Sequence, residues 1–264
     1  MKRFIWLAML PVYLVGVPAL AQVETSYYDA ENTRVKERYE TQAGLPHGRY
    51  QRYDPFGSLT QVGQFDAGKK TGLFVELHPQ TGDTLKITPY TADRIQGEVI
   101  SFYPDGQVAQ LASFQNGVLQ GVLESFYESG KIKGSVRFQE GKPQGVQERY
   151  YPNGKVQART NFDQGVPDGL THEYSEEGKL VLEKTFRNGQ VEGQVTEFYP
   201  NGQKASEALY QKGVKHGKFA TYHENGQLAI EGNYRKGLRH GRFTTYDEHG
   251  TVQWETTYKR GMGR

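Results

Sequence analysis

Residues 145–168 read GVQERYYPNGKVQARTNFDQGVPD, and this stretch decides the architecture. With Gly145 as place zero, Tyr150 falls at place five, Gly154 at nine, Phe162 at seventeen and Gly165 at twenty. Pro152-Asn153-Gly154 between two apolar runs is a turn with a mechanism. Proline pre-sets the first turn residue, Asn tolerates the second, and glycine takes the left-handed place. Such a three-residue loop joins the strands of a β-hairpin. Within Val156, Ala158 and Phe162 the apolar residues skip one or more places, which is strand periodicity.

The same frame extends in both directions. Opening glycines stand at Gly48, Gly72, Gly97, Gly121, Gly145, Gly169, Gly193, Gly217 and Gly241, spaced by 24 residues except for one gap of 25. A fixed period of this length marks a repeat array, whose units stack because none buries its apolar face alone. Units therefore run 48–71, 72–96, 97–120, 121–144, 145–168, 169–192, 193–216, 217–240 and 241–264, after a degenerate unit at 22–47 with a two-residue insertion. Unit 72–96 departs most, with Leu77 for the first aromatic, Tyr90 one place late and Asp93 near the third glycine. The expected fold is all-β: an elongated antiparallel array of hairpins, an open meander in one solenoid-like sheet. The loop length pairs place five with place eleven and sets both on the face of the place-seventeen aromatic. Phe138, Phe162 and Phe186 are then expected as buried rungs.

Residues 1–21 read differently. Lys2 and Arg3 precede the apolar run 4–17, and Ala19-Leu20-Ala21 gives a small-x-small cleavage pattern, so the segment is expected to be a secretory signal peptide. The protein is then exported, to the periplasm or beyond. The chain holds no cysteine, which excludes disulfide staples and thiolate metal sites. Without Lys2 and Arg3 the 30 basic and 30 acidic residues balance, which argues against a nucleic-acid partner.

The unit, with both aromatics and the Pro-Asn-Gly turn recurring over nearly the whole chain after residue 21, resembles the MORN repeat variant. That form occurs in bacterial exported repeat proteins and in the family labelled YwqK-type antitoxins. The resemblance implies repeats without catalytic machinery, and protein scaffolding or contact with anionic lipid as their work. The expected function is thus a non-enzymatic protein-binding or scaffolding surface of the bacterial envelope. The alternatives are an antitoxin-type inhibitor of a cognate toxin and a peripheral binder of anionic lipid.

No catalytic, cofactor or metal residues emerge from the pattern. His47, His216 and His240 occupy one turn position each, just before an opening glycine, and a two-histidine site between neighbouring units is the sole metal alternative. Two groups remain. Place six carries Tyr103, Tyr127, Tyr151 and Tyr199, but Asp54, His78, Ser175, His223 and Asp247 elsewhere, so the column is expected to face solvent. Those tyrosines are either an adhesive patch or cross-strand support. Lys215, Lys218, Arg235, Lys236, Arg239, Arg242, Lys259 and Arg260 cluster near the second turns of the last units and are expected along one edge. That edge is either a solvated border of the sheet or an anion-binding one.

Overall fold

The computed structural model describes residues 22–263; the leader read at 1–21 lies outside them. The described chain is one open antiparallel sheet of 23 strands, with no helix. Consecutive strands pair, except that the short strands Arg94–Ile95 and Gln190–Val191 each share a neighbour with the strand that follows, so the sheet is an unbroken meander. Two kinds of turn alternate, and together they set the period.

The first turn is the three-residue loop. At Pro152-Asn153-Gly154 the Tyr151 amide donates to the Lys155 carbonyl at 2.9 Å, and the Gly154 amide donates to the Tyr151 carbonyl at 2.8 Å. In unit 72–96 the extra residue sits in this turn, which spans 79–82 between His78 and Asp83. The degenerate unit places its longer loop at 29–33, closed by the Tyr28 amide on the Arg34 carbonyl. The second turn has two residues, both with positive φ, as in Asn116 (52°) and Gly117 (82°) or Lys212 (52°) and Gly213 (79°). That is the type I′ geometry whose twist matches the strands. Four residues later the opening glycine, also at positive φ, sits in a strand bulge: Ser135 pairs with Glu148 but Arg137 with Gln144. The fixed spacing of the glycines records this pair of backbone devices.

A second bulge corrects the expected face assignment. Phe126 (place five) pairs with Ile132 (place eleven) as the loop dictates, yet Ser125 pairs with Gly134, which leaves Lys133 unpaired. One extra residue flips every later side chain. Places two and fifteen (Leu123 and Val136) therefore share one face, here face A, with place seventeen (Phe138). Places five and eleven lie on the opposite face B, with places one, three, fourteen and sixteen. The bond from Tyr222 Oη to Glu207 (place fourteen) confirms the split.

No second layer covers either face, so the core is thin. It runs along places two and fifteen, where Phe74 is 1% exposed and Val99, Ala112, Val136, Ala208 and Phe243 are buried. Phe138, Phe162 and Phe186 are half-buried rather than closed rungs. Successive units stand two strands apart, about 9.6 Å, so each ring meets place-two side chains instead of the next ring.

Where both places are aromatic, clusters form. Tyr50, Phe65, Phe74 and Tyr90 stack with centroids 5.1–5.8 Å apart, and Phe219, Tyr234, Phe243 and Tyr258 repeat the arrangement seven units on. Each cluster needs a glycine at place fifteen. A Cβ on Gly63 would lie 2.6 Å from the Phe74 ring, and one on Gly232 would lie 2.5 Å from Phe243.

Candidate functional site

The place-six tyrosines are half-buried, and the expectation that they face solvent is corrected. Tyr103 Oη donates to the Phe126 carbonyl at 2.7 Å, Tyr127 Oη to Tyr150 at 2.6 Å, Tyr151 Oη to Tyr174 at 2.8 Å, and Tyr199 Oη to Tyr222 at 2.7 Å. Each hydroxyl thus ties one hairpin to the next. His223 makes the same tie to the Tyr246 carbonyl, and Tyr28 to that of Tyr53. Asp and Ser occur in the column because they use another option. Asp54 accepts from the Phe56 and Ser58 amides, Asp247 from those of His249 and Thr251, and each caps its own turn. The column reads as exposed only if side chain–backbone bonding is left out.

The basic residues do not share one direction. Lys215 Nζ lies 4.9 Å from the centroid of Phe219, and the Arg239 guanidinium lies 5.2 Å from those of Phe243 and Tyr258. Both belong to face A, as cation–π lids on the ring cluster. Lys218 and Arg242, at place one, stand on face B, and Arg242 approaches Glu255 at 3.7 Å. Only Arg235, Lys236, Lys259 and Arg260 remain at the turn edge, all exposed. Exposed Val214, Leu238 and Met262 interleave with them.

Face B carries two features that the sequence pattern concealed. Place one presents an aliphatic row in three successive units, with Val122 half-buried and Val146 and Leu170 51% and 46% exposed; Leu73, 58% exposed, stands apart beyond Glu98. In the last three units this row turns polar, to Gln194, Lys218 and Arg242, and a groove opens. Its main volume is about 740 Å³, lined by Gln194, Lys218 and Arg242 along one wall, with Glu207 and Glu231 beside them. Tyr222 and Leu228 form the other wall. Small place-three residues give it depth: Ala220 and Thr244 line it, and Thr244 is buried. A second hollow, of about 850 Å³ and reaching back to Glu183, is also lined by Gln194 and Leu209, so the two are continuous.

The polar groups of the groove are held in place. Tyr222 Oη donates to Glu207 at 2.6 Å, Lys204 Nζ donates to it at 2.8 Å, and Gln194 Nε2 at 3.1 Å. Tyr246 Oη donates to Glu231 at 2.6 Å. The Lys204 bond, then that of Tyr222, holds the Glu207 carboxyl below its ordinary value. Burial, then Glu207, pushes the Tyr222 phenol up to about 12. The Glu207 carboxylate therefore stays an ionised acceptor at neutral pH, and the Tyr222 phenol stays a donor. No group of three or more His, Cys, Asp or Glu able to hold a metal occurs among the described residues.

An open sheet of near-identical hairpins defines a β-hairpin repeat protein. Six segments, residues 95–116, 119–140, 143–164, 191–212, 215–236 and 239–260, match the family model described as MORN repeat variant. At 22 residues each they cover half of the 264, and the chain belongs to the MORN repeat variant family. No curated protein matches it. Among solved structures it is similar to TcdB2-TccC3, at 12% identity over 90% of this chain and 15% of that one, with a TM-score of 0.20. It is also similar to the Photorhabdus luminescens Tc holotoxin pore, at 13% identity over 90% of this chain and 13% of that one (TM-score 0.17). A porin-like protein from Bacteroides uniformis matches at 10% identity over 92% of both chains (TM-score 0.19). The chain spans about 15% of the length of the first of these, and likenesses at such scores carry no argument.

Proposed function

We propose that the chain is a non-enzymatic, exported protein of the bacterial envelope that binds another protein along face B. The observation that carries this reading is the row of Val122, Val146 and Leu170, aliphatics at one place of three successive units on a largely polar sheet face. Exposed apolar residues are ordinary singly, but a contiguous row marks a contact surface. A rigid meander holds such a row straight, which suits an elongated partner better than a small ligand. Photo-crosslinking side chains at Val146 and Leu170, set against one at the first-turn residue Asn153, provide the test in cells. A discrete crosslinked species from the face positions alone is expected, and it should disappear with Val122→Asp. Equal crosslinking from Asn153, or none from the face, overturns the reading. An antitoxin role is a special case, in which the crosslinked species is a toxin whose activity the chain suppresses.

A second reading has its own observation. Arg235, Lys236, Lys259 and Arg260 alternate along the turn edge with exposed Val214, Leu238 and Met262, an amphipathic border suited to an anionic lipid surface. Each basic residue near such a surface contributes about 1 kcal/mol. Flotation of residues 22–264 should recover protein with anionic but not neutral vesicles, less at raised salt, and not after Lys236→Glu with Arg260→Glu. Equal recovery from both vesicle types removes this reading.

A further inference from the structure

We propose that the groove on face B of the last units binds a neutral linear glycan, lying across the strands along the axis of the array. The inference rests on the binding-surface reading and names a second ligand class, at residues separate from the aliphatic row.

Length comes first. The main hollow runs from Gln194, on the strand Gly193–Phe198, to Thr244, on Leu238–Tyr246. These are five adjacent strands, so the groove extends roughly 19 Å at the usual strand spacing. An occupant must be extended and repetitive, because the wall chemistry recurs with each unit. A β-linked sugar chain is both, and one sugar ring spans close to one strand spacing.

Charge narrows the class. Lys218 and Arg242 on one wall balance Glu207 and Glu231 beside them. A polyanion would meet the carboxylate row, and a polycation the basic wall, so the groove favours an occupant without net charge. An extended peptide is a poorer match, since its amides and carbonyls are satisfied at a sheet edge rather than on a sheet face.

Polar geometry then selects hydroxyls. Asn233 offers both a donor and an acceptor, and Glu231, two residues before it on the strand Leu228–Arg235, keeps acceptor positions beyond the one taken by Tyr246. Carboxylate and amide side by side suit paired vicinal hydroxyls, each of which donates and accepts. Opposite them the Tyr222 ring and Leu228 give an apolar wall for the C–H face of a sugar ring. Polar groups held beside an apolar wall serve to orient a ligand, and the volume is in the usual range.

The test is calorimetric titration of residues 22–264 with cello- and chito-oligosaccharides of two to six sugars, with heparin as a charged control. Affinity should climb with length for a neutral series and be absent for heparin. Ala220→Trp, which fills the floor, should weaken binding at least tenfold, whereas Tyr222→Phe keeps the ring and should stay within about threefold. Asn233→Ala changes only an exposed side chain, so it keeps the proposal testable if Ala220→Trp fails to fold; it should also lose about tenfold. Six-sugar chains that do not bind at millimolar concentration overturn the proposal. So does binding that Asn233→Ala and folded Ala220→Trp leave unchanged, or heparin binding in their place. Loss of the crosslink at Val146 and Leu170 has no bearing on this outcome.

Discussion

Units 48–96 and 97–168 share one register and fill it by different means. In the first pair, face A is closed by Tyr50, Phe65, Phe74 and Tyr90, with Lys70 Nζ 4.9 Å and 5.0 Å from the last two centroids. Their first turns are capped from within, by Asp54 and His78. In the three units that follow, the same places hold Val99 with Ala112, Leu123 with Val136, and Gln147 with Thr160. Those hairpins are linked instead by the hydroxyls of Tyr103, Tyr127 and Tyr151. Register therefore resides in the turns and glycine bulges. What holds neighbours together is interchangeable between ring packing and a backbone-directed hydrogen bond.

Core truncation should separate the two regions most. Phe74→Ala should cost about 3–5 kcal/mol, the range for a fully enclosed aromatic. Phe162→Ala, at a half-buried position, should cost below about 2 kcal/mol by the area it removes from water. Urea unfolding of both variants checks this, and equal losses would dissolve the contrast. Next in size is Gly63→Ala. Its methyl meets the Phe74 ring, so overpacking of about 1–3 kcal/mol is expected, relieved by a second change, Phe74→Leu. A neutral Gly63→Ala would mean that the cluster is loose. Tyr151→Phe removes one strut and leaves the Tyr174 carbonyl without its donor, for about 0.5–1.5 kcal/mol. Hydrogen exchange of the amides at 156–174 should quicken locally, while that of residues 48–66 stays as before.

The smallest effect is in titration. Burial first, then Glu37, pushes the Tyr50 phenol up to about 12; for Tyr150 the hydrogen bond to Glu148 comes first, and the result is again about 12. A phenol raised above its unfolded value of about 10 contributes stability that is whole below pH 10 and is lost as pH rises toward 12. Glu148, held low by Tyr150 and then Arg159, acts in the opposite sense: its contribution is present above the ordinary carboxylate value and is lost as pH falls through the depressed one. Phenolate absorbance should therefore show Glu148→Gln returning Tyr150 most of the way to its ordinary value, with Glu37→Gln moving Tyr50 much less. The reverse ranking would mean that burial does not distinguish the regions.

Much of the fold was legible in the sequence because turns are local chemistry. Pro152-Asn153-Gly154 specifies its loop, and the loop specifies that Phe126 faces Ile132. The faces were not legible. Lys133, the unpaired bulge residue, looks like any other residue in the spacing, yet it moves Phe138 to the side opposite Phe126. Place two escaped notice because Phe74, Gln147 and Thr171 share no apolar signature. Its available signal was indirect: Gly63 and Gly232 lie inside strands, where an isolated glycine marks close approach. The sequence leaves Tyr151 open between adhesion and cross-strand support because its partner is a main-chain oxygen 23 residues away, which no residue type discloses. The groove depends on Ala220 and Thr244 being small beside a larger neighbouring column, a relation that exists only once strands are in register.

The 24-residue interval has a consequence for how such a gene changes. Because every pairing from Gly97 onward depends on position within the interval and not on where it is first counted, a duplicated or deleted stretch of 24 codons in that part lengthens or shortens the sheet with all junctions intact. Single-codon insertions survive at the first turn, as residues 79–82 record, and would scramble both faces anywhere else.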